Sequence, residues 1–279
     1  MITKKEFSNG FEYIEIKNDS ASAKIALQGA HIFEYIPDGD KPILWVSKIS
    51  DFEYNKAIRG GIPICWPWFS KHPTQERFPQ HGFARTSMFE LTQSIDVDSN
   101  TTQITLQLQN STSTLEMFAY RFELEVKITL SEKLVIELVT KNLDTQPFKI
   151  TQALHSYFDV SDISDVIIKG LDKKPYFDAL TSKERVQEGD IIFREEVDRV
   201  YQDVDGTITL QDQHRVVDIK NEGSSSVIVW NPWIEKCSRM SGMKNDAYKT
   251  FVCIESANAM SDFRELQPQQ THILKATIH

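Results

Sequence analysis

Phe122-Glu123-Leu124-Glu125-Val126-Lys127-Ile128-Thr129-Leu130 alternates apolar and polar residues without a break. A period of two places one side of an extended chain on a core and the other toward water, so the run predicts a half-buried β-strand. The pattern spreads in both directions. Ile104, Leu106 and Leu108 alternate with Thr105, Gln107 and Gln109, and Ala23, Ile25 and Leu27 do the same earlier. Further β-branched runs at Asp165–Lys169, Thr207–Leu210, Val216–Ile219 and Val227–Trp230 are separated by turn signals such as Asp205-Gly206 and Glu222-Gly223. Helical periodicity is scarce: Thr181–Glu188 is the one short helical turn expected, and Ser224-Ser225-Ser226 reads as a hairpin turn. Many short strands without intervening helices predict an all-β fold, a large antiparallel β-sandwich or barrel. No repeat or linker divides residues 1–279, so a single domain is expected.

The chain has 279 residues, of which 31 are Lys or Arg and 40 Asp or Glu, a formal charge of −9. Such an acidic balance argues against a nucleic-acid partner, which calls for a basic face. No apolar run approaches the roughly 18–20 residues that span a bilayer, so no membrane partner is expected. The opening MITKKEFSNGFEY lacks the apolar centre of a secretion signal. Cys65, Cys237 and Cys253 are odd in number and far apart, unlike a disulfide framework, and read as reduced thiols in a cytoplasmic protein. Glycine-rich phosphate loops, HExxH and GxSxG are missing, so no nucleotide cofactor, no metal and no serine nucleophile is expected.

Chemistry concentrates in a few segments. Ala57–Phe69 carries Arg59, Gly60-Gly61, two prolines and two tryptophans, a rigid irregular path lined with aromatics; taken alone it reads equally as a loop closing one end of the sandwich. Gln80–Arg85 adds His81 and Arg85. From Lys56 to Arg85 five cations (Lys56, Arg59, Lys71, Arg77, Arg85) face one anion, Glu76, a local charge of +4. Arginine's planar fork suits phosphate, and an anion site is the functional reading of this cluster. His155 follows an apolar stretch, where a lone histidine is more often an interior residue than a catalyst. Glu255 ends another such stretch, and buried carboxylates are rare unless paired or functional. Together in one cleft the two would form a general acid–base pair. Glu195–Tyr201 brings Asp198, and Val229–Trp233 brings two tryptophans.

Read in order, RGGIPICWPWF (59–69), QHGFAR (80–85), LHSYF (154–158), DRVY (198–201), VWNPW (229–233) and CIESAN (253–258) resemble the aldose 1-epimerase (mutarotase) superfamily, more narrowly its hexose-6-phosphate branch. The resemblance implies a β-sandwich whose open face holds a sugar and whose activity is interconversion of the α and β anomers of a hexose 6-phosphate. It implies His155 as general acid, Glu255 as general base, His81 and Asp198 as pyranose contacts, and Arg59 and Arg85 as phosphate ligands. It leads one to expect a third phosphate cation, for which Lys71 and Arg77 are both candidates. It further implies no cofactor and a small-molecule substrate; separately, a monomer is expected. Two residues depart from the family pattern: Ser70 stands where glycine is usual, and Phe89 where tryptophan is common. A mutarotase for free hexoses and a non-catalytic sugar-phosphate binder are the alternative readings.

Overall fold

In the computed structural model, which describes residues 1–279, the leading alternation forms the strand Phe122–Leu130 over its full length. It lies inside a nine-stranded antiparallel sheet. In spatial order this sheet runs Ile191–Ile192, Ile167–Lys169, Ile208–Gln211, Val216–Glu222, Thr271–Ile278, Leu134–Asn142, Phe122–Leu130, Thr102–Gln109 and Glu90–Asp96. Register follows the pleat: Leu124 faces Thr140, Val126 faces Leu138 and Ile128 faces Ile136, so apolar residues share one side. A second large sheet runs Lys183–Val186, Pro175–Asp178, Val197–Tyr201, Ser226–Asn231, Phe251–Asn258, Gln152–Leu154 and Ile64–Cys65, with Tyr157–Asp159 also paired to Phe251–Asn258. A four-stranded meander, Ile2–Glu6 to His31–Pro37, and the pair Phe148–Ile150 with Arg264–Leu266 complete an antiparallel β-sandwich.

The two faces of the second sheet bury different things. Val227, Val229, Val252, Ile254, Leu154 and Ile64 join the inward faces of the other sheets in a cluster of 56 buried residues. Each such side chain contributes roughly 1.5–3 kcal/mol relative to exposure, which fixes the sheet firmly. The alternate positions, Val200, Ile228, Trp230, Cys253, Ala257, Ala153 and Cys65, form a separate smaller cluster on the opposite face. Asp198 and Glu255 share the parity of this second set, as do Val200 and Cys253 beside them on their strands. The period of two therefore brings both carboxylates to one face of a sheet whose other face is the core.

Two local expectations are corrected. Thr181–Glu188 holds the edge strand Lys183–Val186, not a helical turn; it has no apolar face, and hydrogen bonds to Pro175–Asp178 decide its conformation. Ser224–Ser226 does not close a hairpin, because the strands on either side, Val216–Glu222 and Ser226–Asn231, belong to different sheets. The helices are instead Thr112–Met117, capped by the Ser111 hydroxyl, and Trp233–Arg239. At six and seven residues they are too short to show a periodic signal. No helix is long and apolar enough to cross a membrane. All three cysteines are buried and unpaired.

Candidate active site

A cleft of about 630 Å³ opens on the second face of the Val197–Tyr201 sheet. Arg59, His81, Arg85, His155, Asp198 and Glu255 all line it, although they are spread over nearly 200 residues of sequence. Glu255 lies on its floor, opposite Ile228 on the neighbouring strand, and is 1% exposed. His155 follows the strand Gln152–Leu154, and its backbone N–H donates to the Pro63 carbonyl at 3.0 Å. Its ring stacks on Tyr157, with centroids 4.9 Å apart and planes 12° off parallel, and meets the edge of Trp230.

Nε2 of His155 is 3.3 Å from Oε1 of Glu255. The second polar atom of each group, Nδ1 of His155 and Oε2 of Glu255, is buried without a partner. Burial pushes the Glu255 carboxyl well above its ordinary range, and the charge of Asp198 adds to this. Burial also pulls the His155 imidazole well below its usual value, reinforced by His81 and the cations Arg85 and Arg59. Both shifts favour the uncharged form of each partner over an ion pair.

The arginines and His81 stand beside this pair, with the His81 ring edge-on to that of His155 and the centroids 5.9 Å apart. Arg59 leads into Gly60-Gly61, where the chain passes so close to its neighbour that a Cβ on Gly61 would lie 2.4 Å from the Ile32 carbonyl oxygen. His31, buried beneath, donates Nε2–H to the Gly60 carbonyl at 2.7 Å and holds this path in place. Arg85 sits in the short 3₁₀ turn Ala84–Thr86, and its guanidinium donates to the Gln80 carbonyl at 2.6 Å. Neither guanidinium has a carboxylate within ion-pair distance, whereas the cleft's third cation, Lys236, has two. His81 accepts the Ser70 N–H on Nδ1 at 3.2 Å, which leaves Nε2 to carry the hydrogen. Burial and the two arginines hold its imidazole down to about 3, hence neutral. Two guanidiniums without a carboxylate partner in one cleft make a place for an anion.

A family model described as aldose 1-epimerase matches residues 12–279. The chain belongs to the aldose 1-epimerase family. A family member from Salmonella typhimurium named "Putative glucose-6-phosphate 1-epimerase" is 34% identical over 251 residues, covering 89% of this chain and 83% of that one. One of the same name from Escherichia coli is 31% identical, covering 95% and 89%. Among solved structures, that of a "putative mutarotase (YeaD)" from Salmonella typhimurium superposes with a TM-score of 0.92 at 32% identity, covering 99% of this chain and 92% of that one.

Within this family fold, neither candidate for the third phosphate cation is brought to the cleft. Lys71 and Arg77 stand exposed on the loop after Ser70, Arg77 over the Phe78 ring, and neither lines the cavity. The third cation that does line the cleft is Lys236, from the helix Trp233–Arg239, and it is paired with Glu196 and Asp198. The sequence held no periodic signal for that helix, although Asn231-Pro232-Trp233 marks its start. Ser70 lines the cleft at a φ of +66°, a left-handed conformation that glycine enters freely and serine at a cost, which accounts for glycine being usual there. Phe89 is 3% exposed within the main core and does not reach the cleft.

Proposed function

We propose that the chain interconverts the α and β anomers of a hexose 6-phosphate, glucose 6-phosphate foremost, by acid–base ring opening and reclosure. The observation that carries this is the His155–Glu255 contact, with one unpartnered polar atom on each group, in a cleft that also presents two arginines free of carboxylates. The named relatives support the phosphorylated substrate. Arg59 and Arg85 bind the phosphate, His81 donates from Nε2 to a sugar oxygen, and Asp198 accepts from a hydroxyl.

The anomeric C1–O5 edge lies against the His155–Glu255 contact. With the proton of the pair on His155, the Glu255 carboxylate removes the proton from the C1 hydroxyl while the imidazolium protonates O5. The C1–O5 bond breaks as the C1 carbonyl forms, and the pair is left as carboxylic acid and neutral imidazole. That is the state burial favours in the resting protein. After rotation about C1–C2, imidazole takes the O5 proton, O5 adds to the other carbonyl face, and Glu255 returns a proton to O1. Only protons move, and the 3.3 Å contact lets the pair reset without solvent.

The same reading covers residues 1–279 as one domain, a monomer acting in the cytoplasm. His155→Ala and Glu255→Gln should each lower turnover by about 10²–10⁴-fold, measured as enzyme-dependent exchange between anomers, with calorimetric binding of glucose 6-phosphate retained. Normal turnover in either variant contradicts the assignment. Binding by the wild-type protein without any turnover would instead favour a non-catalytic sugar-phosphate binder.

A further inference from the structure

The cleft holds a third cation to which the reaction gives no role. Lys236 projects from the helix Trp233–Arg239 over the ring of Trp230, its Nζ 5.8 Å from the ring centroid. It contacts Glu196 Oε1 at 2.8 Å and Asp198 Oδ2 at 3.4 Å. An ammonium has three N–H donors, and these two carboxylates account for two of them. One lysine against two carboxylates gives this cluster a charge of −1, which suits neutral hydroxyls better than a second anionic group.

Asp198 needs such a partner. Its carboxylate sits on the cleft face of Val197–Tyr201, where burial works against its charge, and Glu196 and Asp178 add repulsion. Asp178, from the adjacent strand, is itself paired with Arg185 at 3.5 Å. Glu255 faces Asp198 from two strands away and feels its charge. Lys236 alone among these groups favours the charged form of Asp198. A lysine stem is flexible, and the shorter contact to Glu196 restricts where its ammonium can go.

We propose that Lys236 is a positioning residue: tethered by Glu196, its ammonium keeps the Asp198 carboxylate in place as a charged hydrogen-bond acceptor for the sugar hydroxyls. This rests on the assignment of Asp198 as a sugar contact.

Lys236→Met keeps the apolar stem over Trp230 and removes the charge, while Lys236→Arg keeps the charge; Lys236→Gln serves if Met is not tolerated. Two readouts decide. The first is the titration of the Asp198 carboxyl in the free protein, followed by carboxyl ¹³C NMR. Its midpoint should move to higher pH in Lys236→Met and stay near the wild-type value in Lys236→Arg. The second is anomer exchange of glucose 6-phosphate. In Lys236→Met, KM should rise about 10-fold, the scale of one charge-assisted hydrogen bond, with kcat little changed. The acid limb of kcat/KM should shift upward with the Asp198 midpoint, and Lys236→Arg should restore both. In an Asp198→Asn background, Lys236→Met should add nothing further.

An unmoved Asp198 midpoint overturns the proposal, as does a Lys236→Met cost that multiplies with that of Asp198→Asn. A parallel fall in kcat and thermal stability at unchanged KM would show a merely structural ion pair and overturn it too. The titration needs no turnover, so a wild-type protein without exchange activity would defeat the functional reading while leaving Lys236 to be judged on the midpoint alone.

Discussion

Leaving Nδ1 of His155 and Oε2 of Glu255 buried without partners costs roughly 1–3 kcal/mol each, a cost that a bound sugar's hydroxyls and ring oxygen would offset. Glu255 also makes stability depend on pH in a defined direction. Its folded-state pKa is raised, so its contribution is fully present below the unfolded carboxyl's 4.5 and is lost as pH rises through the folded value. Glutamine keeps a donor toward His155 and cannot ionise. The Tm of Glu255→Gln relative to wild type should therefore climb as pH rises from about 4.5 toward the raised folded value; a difference independent of pH would mean that Glu255 is not held protonated. Among the cations, Arg59→Ala and Arg85→Ala should each weaken glucose 6-phosphate binding by about 10- to 150-fold, the equivalent of roughly 1.5–3 kcal/mol, and glucose binding far less. Equal losses for both sugars would remove the phosphate from these arginines. Glu255 was legible in the sequence because a carboxylate closing the apolar run Phe251–Ile254 demands a reason. Lys236 was not, since a lysine amid Ile234, Glu235, Cys237 and Ser238 looks like any solvated residue until the fold sets it against Asp198.

At the level of elements, the cleft is built by alternation on the strands and by close backbone approaches in the loops. A Cβ on Gly82 would lie 1.9 Å from the Trp66 carbonyl oxygen, and its φ of +73° is one that side chains rarely adopt. Gly82→Ala must therefore move either the Trp66–Pro67 segment or the turn carrying His81 and Arg85. It should destabilise the fold by about 1–3 kcal/mol and weaken sugar-phosphate binding as well; chemical denaturation and calorimetry measure the two. An unperturbed variant would show that the turn has slack this geometry denies. The strands were readable wherever one face meets the core and the other is polar, as in Phe122–Leu130. The central cleft strand Phe251–Asn258 is buried on both faces, so pattern alone could not tell which side carried Glu255. The edge strand Lys183–Val186 was misread because its conformation depends on a partner strand and not on any pattern of its own.

Over the whole molecule, a body of net charge −9 brings two arginines free of carboxylates into one cleft. The acidic surface opposes an approaching phosphate dianion, while the arginines attract it at short range, where salt screens less. Raising ionic strength from about 0.01 M to about 0.15 M shortens the screening length from roughly 30 Å to 8 Å and should change kcat/KM for glucose 6-phosphate much more than for glucose. An identical salt response for both sugars would place the phosphate outside the protein's field. The overall sandwich was legible because six sequence blocks and the strand pattern agreed; the choice of the third cleft cation was not, because it is settled by how the helix Trp233–Arg239 folds over the sheet. The most direct test of the central claim is two-dimensional exchange NMR on the anomeric protons of glucose 6-phosphate and of glucose, each with and without the wild-type protein. An acid–base pair serving a phosphate-anchored hexose predicts α/β exchange of the phosphate far above its spontaneous rate, with little change for glucose. Exchange of the phosphate at the spontaneous rate, or equal acceleration of both sugars, would contradict it.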